Sequence, residues 1–450
     1  LTTRLHNYQF LENIPKNWDL KKVDCLQSEP KRNGIYKKKE FHGRGQKIIN
    51  MGELFSYNFI SNQEMKRVEL NEKEKENYLL QDGDLIFARR SLVLEGSGKC
   101  SIIVNPSEPT TFESSIIRLR LKQTIAEPIF FYYLFSSPLG RALMASIASR
   151  TAVSGITSTD LINLKVPVPP LPTQKKIAAI LSAYDDLIEN NTRRIKIHED
   201  MAQGLYREWF VEFHFPGHEK VAMVEARDGR MMPEGWVTKK IEDVCSKLAS
   251  GGTPARKEAK YWADGTIDWY KTKELQDNFL FNSEEKISDD GLQKSSAKIF
   301  PDNTIIIALY AAPTLGRLGI LTKSSTFNQA TCGLIPDENQ CNMPFIYLSL
   351  LNSREYFYSI AMGAAQQNIN MKKLRETPII IPDKEIMNEF SQIVTPIFLK
   401  IKNIANQNLI LNETRDLLLP RLIEGEIDVS DFNIKIKIPQ ERENPVKTPQ

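Results

Sequence analysis

Cysteine is sparse in this chain: Cys25, Cys100, Cys245, Cys332 and Cys341 are scattered through 450 residues without CxxC spacing. That pattern excludes a disulfide framework and a zinc site, so reduced, unliganded thiols are expected. Long apolar runs are missing too. None approaches the ~20 residues that a membrane-spanning helix requires. Leu1–Phe10 lacks the basic-then-apolar order of a secretory leader, although the chain opens on Leu rather than Met. Cytoplasmic residence is the expectation. Catalytic signatures are absent as well. Gly96-Ser97-Gly98-Lys99-Cys100 has neither the opening glycine of a phosphate loop nor a Ser or Thr after its lysine. No paired-His or His-Cys cluster offers a metal site, and no Asn/Asp-Pro-Pro-aromatic sequence of an amino-methyltransferase occurs, so the chain is not expected to methylate by itself.

Charge of one sign is also lacking, with 59 Lys and Arg against 56 Asp and Glu and a net charge of +3, too little to demand a nucleic-acid partner. The distribution says more. Lys21, Lys22, Lys31, Arg32, Lys37, Lys38, Lys39, Arg44 and Lys47 crowd one segment, opposed only by Asp24, Glu29 and Glu40. Hydrophobic content of 41% and charged content of 26% are those of a soluble globular protein, and the length predicts two or three domains.

What the chain does have is an internal repeat with a period near half its length. Ile14-Pro15-Lys16-Asn17-Trp18 returns as Met232-Pro233-Glu234-Gly235-Trp236, and Lys21-Lys22-Val23 returns as Lys239-Lys240-Ile241. Even Cys25 and Cys245 nearly correspond. The run from Ile48 to Leu54 matches Trp269 to Leu275, a strand entering a turn or short helix. Asp82 to Arg89 matches Asp302 to Leu309, a turn feeding a buried strand. Gly98-Lys99 and Gly316-Arg317 each precede a second apolar strand. Both globular parts close alike, with Ile156-Thr157 and Leu161 leading to Val166–Pro170, and Ile369-Asn370 and Leu374 leading to Ile379–Pro382. The prolines there end a strand and release a helix.

Each helix carries a heptad seam. The first runs Ile177, Leu181, Tyr184, Ile188, Asn191, Ile195, His198, Ala202, Leu205, Trp209. The second runs Phe390, Val394, Ile397, Ile401, Ile404, Asn408, Leu411, Arg415, Leu418, Leu422. Two equal seams in one chain are expected to bury one another as an antiparallel coiled coil roughly 50 Å long. The polar members Asn191, His198, Asn408 and Arg415 are expected to fix register. The expected class is α+β, with two mixed α/β domains in a pseudo-two-fold arrangement separated by this coiled coil. The boundaries fall at 1–170 for the first domain, 171–212 for the first helix, 213–382 for the second domain, 383–427 for the second helix and 428–450 for a flexible tail.

Such a pseudo-dimer suits reading two stretches of double-stranded DNA, with the coil acting as a ruler between them. The candidate contacts in the first copy are Lys37, Lys38, Lys39, Arg44, Arg89, Arg90 and Lys99. In the second they are Lys271, Lys273, Tyr310, Arg317, Asn328, Gln329, Gln366 and Gln367. Arg and Lys pair with guanine, and Asn and Gln with adenine, while many such side chains simply face solvent or contact phosphate. A rival reading makes the chain a nuclease or recombinase, with Asp268, Glu274 and Asp302 holding magnesium. A third makes it a protein-only scaffold, with no salt-dependent affinity for DNA.

Pro170-Leu171-Pro172-Thr173-Gln174-Lys175-Lys176-Ile177, the helix end at Leu205–Phe210, Ser250-Gly251-Gly252-Thr253-Pro254 ahead of Tyr261-Trp262, and Leu417 to Gly425 carry a resemblance over nearly the whole chain. In that order they resemble the specificity subunit of bacterial and archaeal type I restriction-modification enzymes. The resemblance implies a non-catalytic subunit whose two target-recognition domains each read half of a split, asymmetric site. It also implies two partner modification subunits, adenine methyltransferases using S-adenosylmethionine, and restriction subunits using ATP and magnesium. No cofactor is expected on this chain itself. The polar, proline-bearing tail from Asp428 departs from the family pattern.

Overall fold

The computed structural model describes residues 14–149, 154–226, 229–310, 313–361 and 368–432. By packing, the chain forms two units, one of residues 1–193 with 408–450 and one of residues 194–407. Both 40-residue helices, Leu171–Phe210 and Lys384–Ile423, are therefore divided between units. The helices do not form a body of their own, and each half belongs to the core of the unit it packs on.

In the first unit, Asp19–Lys22 pairs antiparallel with Lys165–Val168. A five-stranded sheet follows in the order Arg32–Asn33, Ile116–Leu119, Leu85–Ala88, Cys100–Ile103, Phe59–Ile60. A three-stranded sheet has the order Arg67–Val68, His42–Ile49, Thr110–Phe112. The second unit repeats this. Val237–Lys240 pairs with Pro378–Ile381. Its five-stranded sheet runs Cys245–Ser250, Thr331–Pro336, Ile305–Ala308, Leu318–Leu321, Asn278–Leu280, and its three-stranded sheet Glu285–Ile287, Ile267–Tyr270, Thr326–Phe327. Even the parallel pairings fall at matching places. The central strands Leu85–Ala88 and Ile305–Ala308 are buried at every position because both faces are covered, which is why they read as unbroken apolar runs. The register also sharpens one near-match. Asp19 and Val237 occupy the same place, so Cys25 corresponds to Asp243 rather than to Cys245.

A helix pair covers each five-stranded sheet, Pro128–Ser136 with Pro138–Ile147 and Met343–Asn352 with Arg354–Ala361. Three of these helices carry proline in their first turn, where its missing N–H costs nothing.

Within each unit the long helices run antiparallel. In the first, Ile177 and Leu181 join a buried cluster with Leu422, Asp185 meets Arg415 at 2.6 Å, and the Asn408 amide donates to Ile188 O at 3.2 Å. Partner numbers fall as helix numbers rise. In the second unit, Tyr206, Trp209 and Phe210 surround Phe390 with ring centroids 4.8–6.4 Å apart, and Val394, Ile401 and Ile404 are buried. Tyr184, Ile188, Ile195, Leu205, Ile397, Leu411 and Leu418 are only half-buried. The apolar stripe is wider than the heptad, since Ala178, Tyr206, Phe210 and Phe398 are buried beside it against the globular parts.

The motif at the first helix start has a local cause. Gln174 is fully buried, and its amide donates to Ile125 O at 3.0 Å and Pro169 O at 2.7 Å while accepting from Glu127 N at 2.8 Å. One side chain thus satisfies three backbone groups where strand, helix pair and long helix meet. At the other end the expected tail boundary falls inside packed chain. Val429 is buried, and Lys176 Nζ donates to the carbonyls of Val429 and Ser430. Residues 433–450 lie outside those described.

Candidate nucleic-acid interface

In each unit one short turn gathers the candidate segments. In the first unit it is Glu113–Ser115. Gly34 N and Ile35 N bond Ile116 O and Phe112 O on its flanks, Arg89 N bonds Ser115 O, and Glu113 N bonds Ile49 O, all within 2.8–3.0 Å. In the second unit it is Asn328–Ala330. There Gly251 N and Gly252 N bond Thr331 O and Phe327 O, Leu309 N bonds Ala330 O, and Asn328 N bonds Tyr270 O. Glycine is required at this approach. A Cβ on Gly34 would lie 2.1 Å from Glu113 O, and one on Gly251 2.1 Å from Phe327 O. That accounts for Gly251, while its neighbour Gly252 is required by a separate approach, where a Cβ would lie 2.1 Å from Ser296 O.

The loop leaving the central strand is closed identically in both units. Gly98 N returns to Ala88 O at 2.8 Å and Gly316 N to Ala308 O at 2.9 Å, with both glycines left-handed, at φ +69° and +72°. A second loop joins each. Arg90–Ser91 pairs with Ser154–Gly155, and Tyr310 bridges to Asn368. Gln366 and Gln367, expected to contact DNA, lie outside the described residues.

The remaining candidates divide into bound and free groups. Lys37 is held 2.7 Å from Glu74, with its ammonium over the Phe41 ring. Lys99 Nζ donates to Phe55 O at 2.5 Å, and burial pushes its ammonium below the usual lysine range. Lys271 lies 3.0 Å from both Glu284 and Glu285, and Lys273 lies 2.6 Å from Glu284. These four are already engaged within the fold. Lys38, Lys39 and Arg90 are exposed, with no ion pair among the described residues. Arg44 makes an exposed pair with Glu69 at 2.8 Å, and Arg89 reaches Ser114 O at 3.5 Å. Tyr310 is exposed, and Arg317 is half-buried. Asn328 braces its own turn by accepting from Ala330 N, and the exposed Gln329 accepts from the Thr253 hydroxyl.

Two features escaped sequence reasoning. Tyr36 is 80% exposed beside Lys38 and Lys39, and Arg256 stacks over Trp262 at 3.8 Å while pairing with Glu285. Tyr36 adjoining Lys37 was an available signal, whereas Arg256 and Trp262 are six residues apart and are joined by the fold. The acids of the nuclease reading have other partners. Asp268 pairs with Lys323 at 2.7 Å, Glu274 accepts from the backbone of Lys271 and Glu284, and Asp302 accepts from Asn303. No group of three or more His, Cys, Asp or Glu placed to hold a metal occurs among the described residues, and no helix among them is long and apolar enough to cross a membrane.

Comparison with known proteins agrees with the duplication. The family model described as the type I restriction modification DNA specificity domain matches twice, at residues 15–198 and 233–412. The type I restriction enzyme MjaIX specificity subunit of Methanocaldococcus jannaschii is 25% identical over 436 residues, covering 93% of this chain and 95% of its own. The HindI specificity subunit of Haemophilus influenzae is 26% identical over 441 residues, covering 84% and 94%. The crystal structure of the type I restriction-modification S subunit from M. genitalium superposes with a TM-score of 0.57 at 17% identity over 91% of this chain and 96% of that one, a likeness of fold.

Proposed function

Because this chain belongs to the type I restriction-modification DNA specificity family, a family of non-catalytic recognition components, we propose that its two units each read one half of a bipartite, asymmetric site in double-stranded DNA. Residues 1–170 and 213–382 are the two reading domains, and the helices at 171–212 and 383–427 set the unread spacer. The same helices dock two modification subunits, which carry S-adenosylmethionine, while restriction subunits using ATP and magnesium complete the enzyme in the cytoplasm. This chain itself holds no cofactor.

The observation that carries the reading is the repeated junction: identical backbone closure around the Glu113–Ser115 and Asn328–Ala330 turns, with different side chains on the two loops. A fixed frame with divergent loop residues is what two different half-sites require. Arg44, Arg89, Arg90, Lys38 and Lys39 serve the first half-site, and Tyr310, Arg317, Asn328 and Gln329 the second. Lys37, Lys99, Lys271 and Lys273 support the frame instead. Docking is supported by apolar side chains left exposed on the long helices, Leu187 and Leu417 in the first unit and Met201 and Leu399 in the second.

The test is genome-wide mapping of methylated adenine in cells expressing this chain with its modification partner. Exchanging residues 1–165 for another reading domain is expected to change one half-site and leave the other. A change in both halves, or in neither, defeats the reading.

A further inference from the structure

The strand His42–Ile49 contains an excursion. His42 and Gln46 both lie opposite Val68, so residues 43–45 leave the ladder as a three-residue projection. Gly43 and Gly45 stand at φ +92° and +89° on either side of Arg44, conformations that L side chains rarely adopt. A Cβ on Gly45 would meet Val68 O at 2.6 Å, whereas one on Gly43 meets nothing within 4 Å. The projection is thus tight at its return and open at its start.

Its base is braced. Arg67 Nη1 donates to Gly45 O at 2.8 Å while Arg67 pairs with Glu108, and Glu69 N donates to Phe41 O at 2.8 Å. Arg44 at the tip directs Nε and Nη2 to the same oxygen of Glu69, at 2.9 and 2.8 Å, with both side chains largely in solvent. Such an exposed pair is weak and readily exchanged. The equivalent strand of the second unit begins at Ile267, the counterpart of Gln46, so the projection belongs to the first unit's strand alone.

We propose, building on the DNA-reading function above, that Gly43-Arg44-Gly45 is a groove-reading finger in which Arg44 contacts a guanine of the first half-site and Glu69 holds the arginine in position until DNA displaces it. Guanine presents two acceptors, O6 and N7, to the two-pronged guanidinium edge that Glu69 engages in the free protein. Lys38 and Lys39, exposed and without an ion pair among the described residues, and the exposed Tyr36 precede the finger in the chain by four to seven residues and are available for phosphate contact.

The experiment uses the full chain assembled with its modification subunits, and duplexes carrying the mapped site with each base pair of the first half changed singly. With Arg44→Ala, preference at one G·C position is expected to fall about ten- to a hundred-fold, with the other positions and the second half-site unaffected. Arg44→Lys, which loses the fork, is expected not to restore it. Glu69→Gln is expected to tighten binding a few-fold, since a competing carboxylate charge is gone. Thermal melting of each variant at the wild-type temperature certifies the fold. A uniform loss across all sequences, or no change, with Arg44→Ala overturns the finger. A wild-type complex without half-site preference overturns the DNA-reading function on which it rests.

Discussion

The same ion-pair position exists in both units with its charges exchanged. In the first, Lys47 on the middle strand of the three-stranded sheet pairs with Glu108 at 3.0 Å, and Arg67 joins the same carboxylate at 2.9 Å. In the second, the counterpart of Lys47 is Asp268, which pairs with Lys323 at 2.7 Å, and Lys286, at the position of Arg67, lies 3.9 Å away. Each unit therefore places one carboxylate between two cations, but the acid and one base have traded places between the middle strand and the segment ahead of its parallel neighbour. The fold requires a counter-charge for the one buried member, Lys47 or Asp268, and is indifferent to its sign, because Coulomb attraction is symmetric while an unpaired buried charge is not tolerated. The two copies diverged through compensated changes.

The five-stranded sheets differ more. In the first unit, Asp84 is fully buried and receives two bonds from Arg120 at 2.8 and 2.7 Å, while Glu29 bridges Arg120 and the buried Arg118. In the second, the counterparts of Asp84, Arg120 and Arg118 are Thr304, Ile335 and Gly333, and the space is filled by Phe300 and Phe327 with ring centroids 4.6 Å apart. One copy solved this layer with charge and the other with aromatic packing. Arg120→Ala is expected to be the most damaging single change, about 3–5 kcal/mol, since it strands Asp84 without its cation. Asp84→Thr/Arg120→Ile, which imports the second unit's residues, is expected to recover part of that loss. Hydrogen exchange read separately on the two units checks both. Equal damage in single and double variants would mean the layers are not interchangeable.

A charge exchange tests the first comparison directly. Lys47→Asp sets a second carboxylate against Glu108 and is expected to cost about 2 kcal/mol, whereas Lys47→Asp/Glu108→Lys reproduces the second unit's arrangement and is expected to restore most of it. The coupling between the two changes, taken from denaturant midpoints in a double-mutant cycle, is the measured quantity. Additive losses would show that strand context decides the direction of the pair.

These comparisons also mark what the sequence discloses. The duplication is read by matching the two halves, and the helical seams and buried central strands are local patterns, so Ile177, Leu181, Phe390 and Val394 can be read from spacing alone. The fate of the basic residues cannot. Lys37 is taken up by Glu74 and Lys99 by the carbonyl of Phe55, partners remote along the chain and joined only by the fold. Lys271 and Lys273 look like free cations until the strand Glu285–Ile287 brings Glu284 and Glu285 beside them. The exchanged pair had a signal, because superposing the repeats aligns Lys47 with Asp268 and Glu108 with Lys323, but its meaning needs the strand register. The finger had one too, in Gly43-Arg44-Gly45.

The smallest effect separates the two pairs by acid. For Glu108, the hydrogen bond from Lys47 is the leading influence, and together with Arg67 it holds the carboxyl below its ordinary value of 4.5. For Asp268, burial pushes the carboxyl up, but Lys323 and two bonds from Ser283 outweigh it and leave the group below its ordinary 3.8. A carboxyl depressed by folding stabilises the native state fully above its unfolded value, and that share is lost as pH falls through the folded one. The stability gap between wild type and Glu108→Gln is therefore expected to start closing near pH 4.5, and that between wild type and Asp268→Asn only near pH 3.8. Each gap should be about 1 kcal/mol at neutral pH. Denaturant midpoints taken between pH 3 and 7 resolve the order, and gaps that close together, or that widen in acid, would show that the exchanged pairs are not each governed by their own carboxylate.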